Sequence, residues 1–119
     1  MDTARSRHAR DFLPEAIRSL PLVELPVSGA TGYCLQDDQK QVVFFAFDEG
    51  VSFPDHSHCE QRGLVIAGEM TIEIEGQTNL YQAGDQYVVP DGVTHRASFS
   101  QPTVLIDMSD APNRYSVYR

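Results

Sequence analysis

From Pro21 onward the chain reads as strand after strand, cut at close intervals by Gly, Pro, Asp and Asn, and no helix-period stretch interrupts the series. Such a pattern constrains the body to all-β. Val42-Val43-Phe44-Phe45-Ala46-Phe47 is a continuous run rich in β-branched and aromatic residues, as expected of a strand covered on both faces. Met70-Thr71-Ile72-Glu73-Ile74-Glu75 alternates, which turns Ile72 and Ile74 inward and Thr71, Glu73 and Glu75 outward. Gly76 permits a turn into Thr78–Tyr81. Further strands are predicted at Gln86–Val89, Thr94–Phe99 and Thr103–Met108, with Pro90-Asp91-Gly92 as a turn between the first two. Many short, evenly spaced strands favour a closed barrel or jelly roll.

The 119 residues fit one domain, divided into an N-terminal tail and short helix over 1–20 and a β domain over 21–119. Leu13, Ala16, Ile17 and Leu20 recur at helical spacing. Pro14 suits the first turn of that helix and Pro21 stops it, giving about two turns that must lean on a core or on another subunit.

Charge narrows the partners. The net charge is −8, and because Arg5, Arg7 and Arg10 against Asp2 leave the first ten residues at +2, the remainder carries −10. An acidic body with one lysine, Lys40, lacks the clustered cations that nucleic-acid binding needs. No apolar core of a targeting peptide follows the basic head, so a disordered start is expected, and no stretch is apolar for long enough to suggest a membrane span. Cys34 and Cys59 form neither a CxxC pair nor a disulfide framework. Two free thiols in a reducing cytoplasm are expected, although sequence alone leaves one bridge open. Cys59 reads as a half-buried strand residue rather than a ligand.

Three of the four histidines fall in two compact clusters flanked by Gly and Pro turns. In a strand His56 and His58 project from one face, about 6–7 Å apart, close enough to converge on one ion. An HxH pair alone reads more readily as an exposed polar face. The wider spacing shifts that balance. One stretch runs from Gly50 through His56-Ser57-His58-Cys59-Glu60-Gln61 to Gly68; the other runs from Gly84 through Pro90-Asp91-Gly92 to His95.

These two stretches resemble the two motifs of the cupins, and the fifteen residues between Gly68 and Gly84 suit a compact single-domain member. The resemblance spans Gly50 to Phe99. It also extends to a group of small bacterial cupins that run HxH, two residues and Gln, and whose tails carry Arg-Tyr as Arg114-Tyr115 does here. The resemblance implies a single double-stranded β-helix, or jelly-roll, barrel. It implies one divalent transition-metal ion (Fe, Ni, Mn, Cu or Zn) held by His56, His58, His95 and a fourth ligand. That fourth ligand is Gln61 by the count back from Gly68, with Glu60 as the alternative because strict alternation from the histidines turns Glu60 inward. A turn or bulge at Cys59-Glu60 is required for Gln61 to face in. Where the family often has asparagine, four residues beyond the second-motif histidine, this chain has Phe99.

Three imidazoles and one side-chain oxygen suit a borderline divalent ion with positions left open. With Gln61 all ligands are neutral, so the site keeps a charge near +2 and favours anionic oxygen ligands. Arg62 and Arg96 adjoin proposed ligands, but alternation turns both outward. Phe45, Phe47, Phe53, Tyr87 and Phe99 are candidate pocket residues, each also readable as ordinary core. No general base has a positional argument, though Tyr87 and Glu60 are candidates. The reading is a metal-dependent enzyme acting on a small organic molecule inside the barrel, of dioxygenase, isomerase, lyase or cyclase type. The alternative is a non-catalytic module that binds a small ligand or metal. A homodimer is expected, with Leu22 to Val27 pairing with a neighbouring barrel.

Overall fold

A computed structural model describes residues 8–118. Arg5, Arg7 and Asp2 of the basic head lie outside the described residues. Nine strands follow the N-terminal segment: β1 Ala30–Gln36, β2 Gln41–Phe47, β3 Ser52–His56, β4 Gln61–Ala67, β5 Glu69–Ile74, β6 Gln77–Gln82, β7 Gln86–Val89, β8 His95–Ser98 and β9 Thr103–Ser109. They form two antiparallel sheets, ordered β1-β2-β9-β4-β7 and β3-β8-β5-β6. The fold is all-β, as the strand-turn rhythm requires. It is a jelly-roll sandwich, and the hydrogen-bonded ladders do not close into one ring as a strict barrel would.

The chain crosses between sheets at Gly68. The β4–β9 register slips between Val65 and Ala67, and Gly68 then takes φ 84°. A Cβ there would overlap the Pro102 carbonyl and Thr103, so the corner requires glycine. Alternation places Gln61, Gly63 and Val65 of β4 on the inner face with Leu105, Asp107 and Ser109 of β9. Ile72 is buried and Ile74 packs against the core, while Glu75 is exposed, as the alternation predicts. The core between the sheets includes Phe45, Phe47, Val65, Ile72, Phe99 and Leu105.

The N-terminal helix is shorter than the apolar spacing suggests. Ala9–Phe12 form a 3-10 turn, and α1 is a single α-turn, Glu15–Arg18, with Pro14 at its N-cap rather than inside it. Leu13 and Ala9 are buried with Tyr33, Ala46 and Val104, and Ile17 and Leu20 pack beside them, so the segment leans on the outer face of its own five-stranded sheet. Ala16 of the expected stripe is exposed. Asp48 fixes the approach, accepting from the Ala9 N–H at 2.8 Å and meeting His8 Nδ1 at 3.0 Å.

Leu22 and Val23 bridge to Tyr33 and Val117 of the same chain. Among the described residues no helix is long and apolar enough to cross a membrane.

Candidate metal centre

Strand β3 carries Phe53 to His56, and β8 begins at His95, which pairs directly with His56 across the sheet. The register shifts between Phe53 and His56, around Pro54, which has no N–H for the ladder. His58 lies in the loop after β3. That loop is pinned to the Pro90-Asp91-Gly92 turn, because the Gly92 N–H donates to the His58 carbonyl at 2.8 Å. The two histidine clusters, thirty-seven residues apart at His58 and His95, are thereby joined.

The ligand nitrogens of His56, His58 and His95 all lie within 4.8 Å of one another. Each Nδ1 faces a backbone carbonyl: His56 that of Pro54 at 2.8 Å, His58 that of Cys59 at 2.6 Å, His95 that of Val93 at 3.0 Å. A carbonyl only accepts, so each Nδ1 carries a proton, and the lone pair of the neutral tautomer lies at Nε2. The Nε2 atoms of His58 and His95 stand 3.2 Å apart. A proton between them would have to ride on one ring. Burial opposes that charge, pushing His58 down to about 4 against the opposing pull of the Cys59 carbonyl, with Arg114 and any charge on the neighbouring imidazoles adding to the effect of burial; burial lowers His95 as well. At neutral pH two lone pairs therefore face each other, a contact that a shared cation relieves. Two nitrogens bound at about 2.1 Å with an angle near 90–110° lie about 3.0–3.4 Å apart, so the observed spacing fits one ion.

Gln61 and Glu60 part company at the start of β4. Gln61 is buried at 6% exposure and its Nε2 donates to the Tyr115 hydroxyl at 3.4 Å, which leaves the amide oxygen as its free acceptor. Glu60 is exposed and pairs with Arg62 at 3.2 Å. His58 to Glu60 form no strand, so the alternation that would turn Glu60 inward is interrupted where the count from Gly68 requires it. Arg96 is held outside by both carboxylate oxygens of Asp55, at 2.8 and 3.1 Å.

A cavity of about 60 Å³ lies against these groups. Phe45, Phe47, Phe53, Tyr87 and Phe99 line its apolar part, with Phe99 stacked on Phe47 at 3.9 Å. Its polar wall is His56, His95, Gln61, Asp107 and Tyr115. Asp107 is fully enclosed, and burial pushes it up to about 7 against the opposing pull of the Tyr87 hydrogen bond and of Arg114. Tyr87 donates to it at 2.8 Å, and burial beside that carboxylate raises the phenol well above its ordinary value. The Tyr87 ring crosses directly over Gly63, its partner in the β4–β7 pairing, where any Cβ would overlap the end of the phenol. Burial likewise raises Tyr115, to about 12.

Asp107, Tyr115, Arg114 and Gly63 are site residues that the motif spacing does not reveal. Asp107 had a signal: an inward Leu105 turns Asp107 inward by alternation. The C-terminal pair is placed by Gln41, 1% exposed, whose Nε2 donates to the carbonyls of Pro112 and Tyr115 and whose Oε1 accepts the Tyr115 N–H at 2.9 Å. Cys34 is buried and Cys59 half-buried, both as free thiols.

Comparison with known proteins agrees with the fold. Residues 43–109 match the family described as "Cupin domain". The chain is similar to an RmlC-like cupin of Shewanella frigidimarina NCIMB 400, with TM-score 0.68, 25% identity, and coverage of 86% of this chain and 87% of that one. KdgF from a Halomonas species gives TM-score 0.65 at 25% identity over 82% and 88% of the two chains. A cupin superfamily protein of Desulfitobacterium hafniense DCB-2 gives TM-score 0.65 at 20% identity over 73% and 82%. No curated protein matches significantly.

Proposed function

This chain belongs to the cupin family, and from that premise we propose that it is a metal-dependent enzyme acting on a small organic molecule, with one divalent ion held by His56, His58, His95 and the Gln61 amide oxygen. The observation that carries the reading is the 3.2 Å approach of two Nε2 atoms whose rings are both tied through Nδ1 to carbonyls. The same carbonyls fix ring orientation before an ion arrives, so little ordering is left to do on binding. When bound, such an ion supplies a Lewis acid for a carbonyl or a centre for oxygen chemistry.

The chain's own residues supply the rest. The aromatic wall makes most of the cavity lining apolar, with Phe99 at its floor. Asp107, held near neutrality by burial, offers a carboxyl that can give or take a proton at physiological pH, with Tyr87 fixing its orientation. These features favour catalysis over simple ligand storage, since storage has no use for a titrating carboxyl in the wall.

Metal analysis of the purified chain, together with thermal melts in Fe, Ni, Mn, Cu or Zn, tests the reading. The expected result is one ion per chain and, at a hundredfold excess over Kd, a rise in Tm on the order of 10 °C. His58→Ala should lose most of the metal and keep its circular dichroism spectrum. A wild-type chain that takes up no stoichiometric metal and shows no shift with any of these ions overturns it.

A further inference from the structure

We propose that Arg114 recognises a carboxylate, so that the small molecule taken by this cavity is an organic acid bound with its anionic end at the cavity mouth. The inference deepens the enzyme reading by naming the substrate class, and it rests on that reading for what happens at the ligand's inner end.

The inner cavity, about 60 Å³, has room for only a few water-sized groups. Phe53, His56 and Tyr115 belong both to its wall and to the wall of an outer cleft of about 600 Å³. Any ligand larger than a few atoms that reaches the histidines must therefore extend into that cleft. Arg114 lines the cleft beside His56 and Tyr115.

The arginine is held as a receptor would be. Its guanidinium lies 4.1 Å over the Tyr115 ring, which fixes the plane of the fork. The backbone on either side is clamped by Gln41, which takes the Pro112 and Tyr115 carbonyls and the Tyr115 N–H. Among the described residues the Arg114 Nε is the one buried side-chain polar atom without a hydrogen-bond partner. Buried donors are ordinarily satisfied, so this orphan marks a guanidinium that the chain's own groups leave incompletely paired, and a planar guanidinium lining the cleft matches the two oxygens of a carboxylate. Among the described residues Arg114 also forms no salt bridge, whereas Arg62 and Arg96 are each paired on the outer surface. Glu24 stands on the same cleft wall but is exposed and makes no ion pair with it.

Calorimetric titration of the full chain with succinate, and with uncharged succinamide of the same shape, tests the proposal in metal-loaded and in chelator-treated protein. Wild type should prefer succinate. Arg114→Gln should weaken succinate about tenfold to hundredfold, the loss expected for one charge-assisted contact, with succinamide binding and metal content unchanged. Arg114→Lys, which keeps the charge without the fork, should fall between the two, and it decides the question if Arg114→Gln does not fold. Equal succinate affinity in wild type and variant overturns the proposal, because Arg114 then serves only to balance Asp107. Failure of wild type to distinguish succinate from succinamide also overturns it. If wild type takes up no metal, the enzyme reading falls, yet succinate binding to the metal-free chain that Arg114→Gln reduces still supports the carboxylate site.

Discussion

Replacing Asp107 with Asn tests the electrostatics of the cavity wall in a single number. The carboxyl is displaced from 3.8 to about 7, chiefly by burial. Each unit corresponds to about 1.4 kcal/mol, so about three units set a ceiling of about 4 kcal/mol on the cost of ionising it in the folded state. Relaxation and water entry reduce such costs, and about 2–4 kcal/mol is expected. The sign follows from proton counting: between about pH 4 and 7 the folded chain holds a proton that the unfolded chain has released. Stability from this group is thus complete below about pH 4 and lost as pH rises through about 7. His58 and His95, whose folded values are lowered, act in the opposite sense, losing stability as pH falls below the ordinary imidazole range. Both histidines are common to wild type and variant, so the difference between the two chains isolates Asp107. Asn keeps an oxygen for the Tyr87 hydroxyl. Urea unfolding of both proteins with chelator present, from pH 4 to 8, should give curves that nearly coincide at pH 4 and diverge to a plateau above about pH 7.5, with Asp107→Asn the more stable. A difference that stays flat with pH, or one in which the variant is weaker throughout, refutes the reasoning.

At the fourth ligand, Gln61→Leu should lower metal affinity on the order of tenfold or more while Glu60→Gln changes little, as read by competition with a chelator; the reverse result assigns the role to Glu60. Gln61→Glu should keep the ion but weaken azide binding, because the site loses one unit of positive charge. Gly63→Ala should cost about 2–3 kcal/mol in urea unfolding, since its methyl group would overlap the Tyr87 phenol and the β4–β7 pairing leaves that ring no other place; a loss below about 0.5 kcal/mol shows that the ring moves freely. A homodimer is expected, and besides Leu22 to Val27 the outer face of the five-stranded sheet is a candidate surface, where Leu35, Met108 and Val88 are exposed on one row across the strands with Arg62 between the last two. Light scattering at micromolar concentration should give twice the chain mass, and Val88→Glu should halve it; a monomeric wild type contradicts this.

What the sequence made legible is what short-range chemistry writes. Alternation in Met70–Glu75, the apolar run Val42–Phe47 and the turn at Pro90-Asp91-Gly92 each follow from residues a few positions apart, and the two sheets contain them much as read. The histidines were legible because two local clusters carry their own glycine and proline turns. Periodicity misjudged the N-terminal helix, since its spacing records which side chains face the sheet, whereas one α-turn and a 3-10 turn present Ala9, Leu13 and Ile17 equally well. The pairing of Tyr87 with Asp107 was illegible for a different reason. Tyr87 meets Asp107 only because β4 lies between β7 and β9 with Gly63 vacant beneath the ring, a relation among three strands that no window of sequence contains. Arg114 is further removed still, since it reaches the mouth through Gln41, seventy-four residues before Tyr115. The ligand-holding part of the site is therefore written in motifs, while the groups that would select and act on a substrate are written in register. Chains that share the two histidine motifs can for that reason differ in chemistry, because a single change at Gly63, Asp107 or Arg114 alters the wall and leaves the metal-binding pattern untouched.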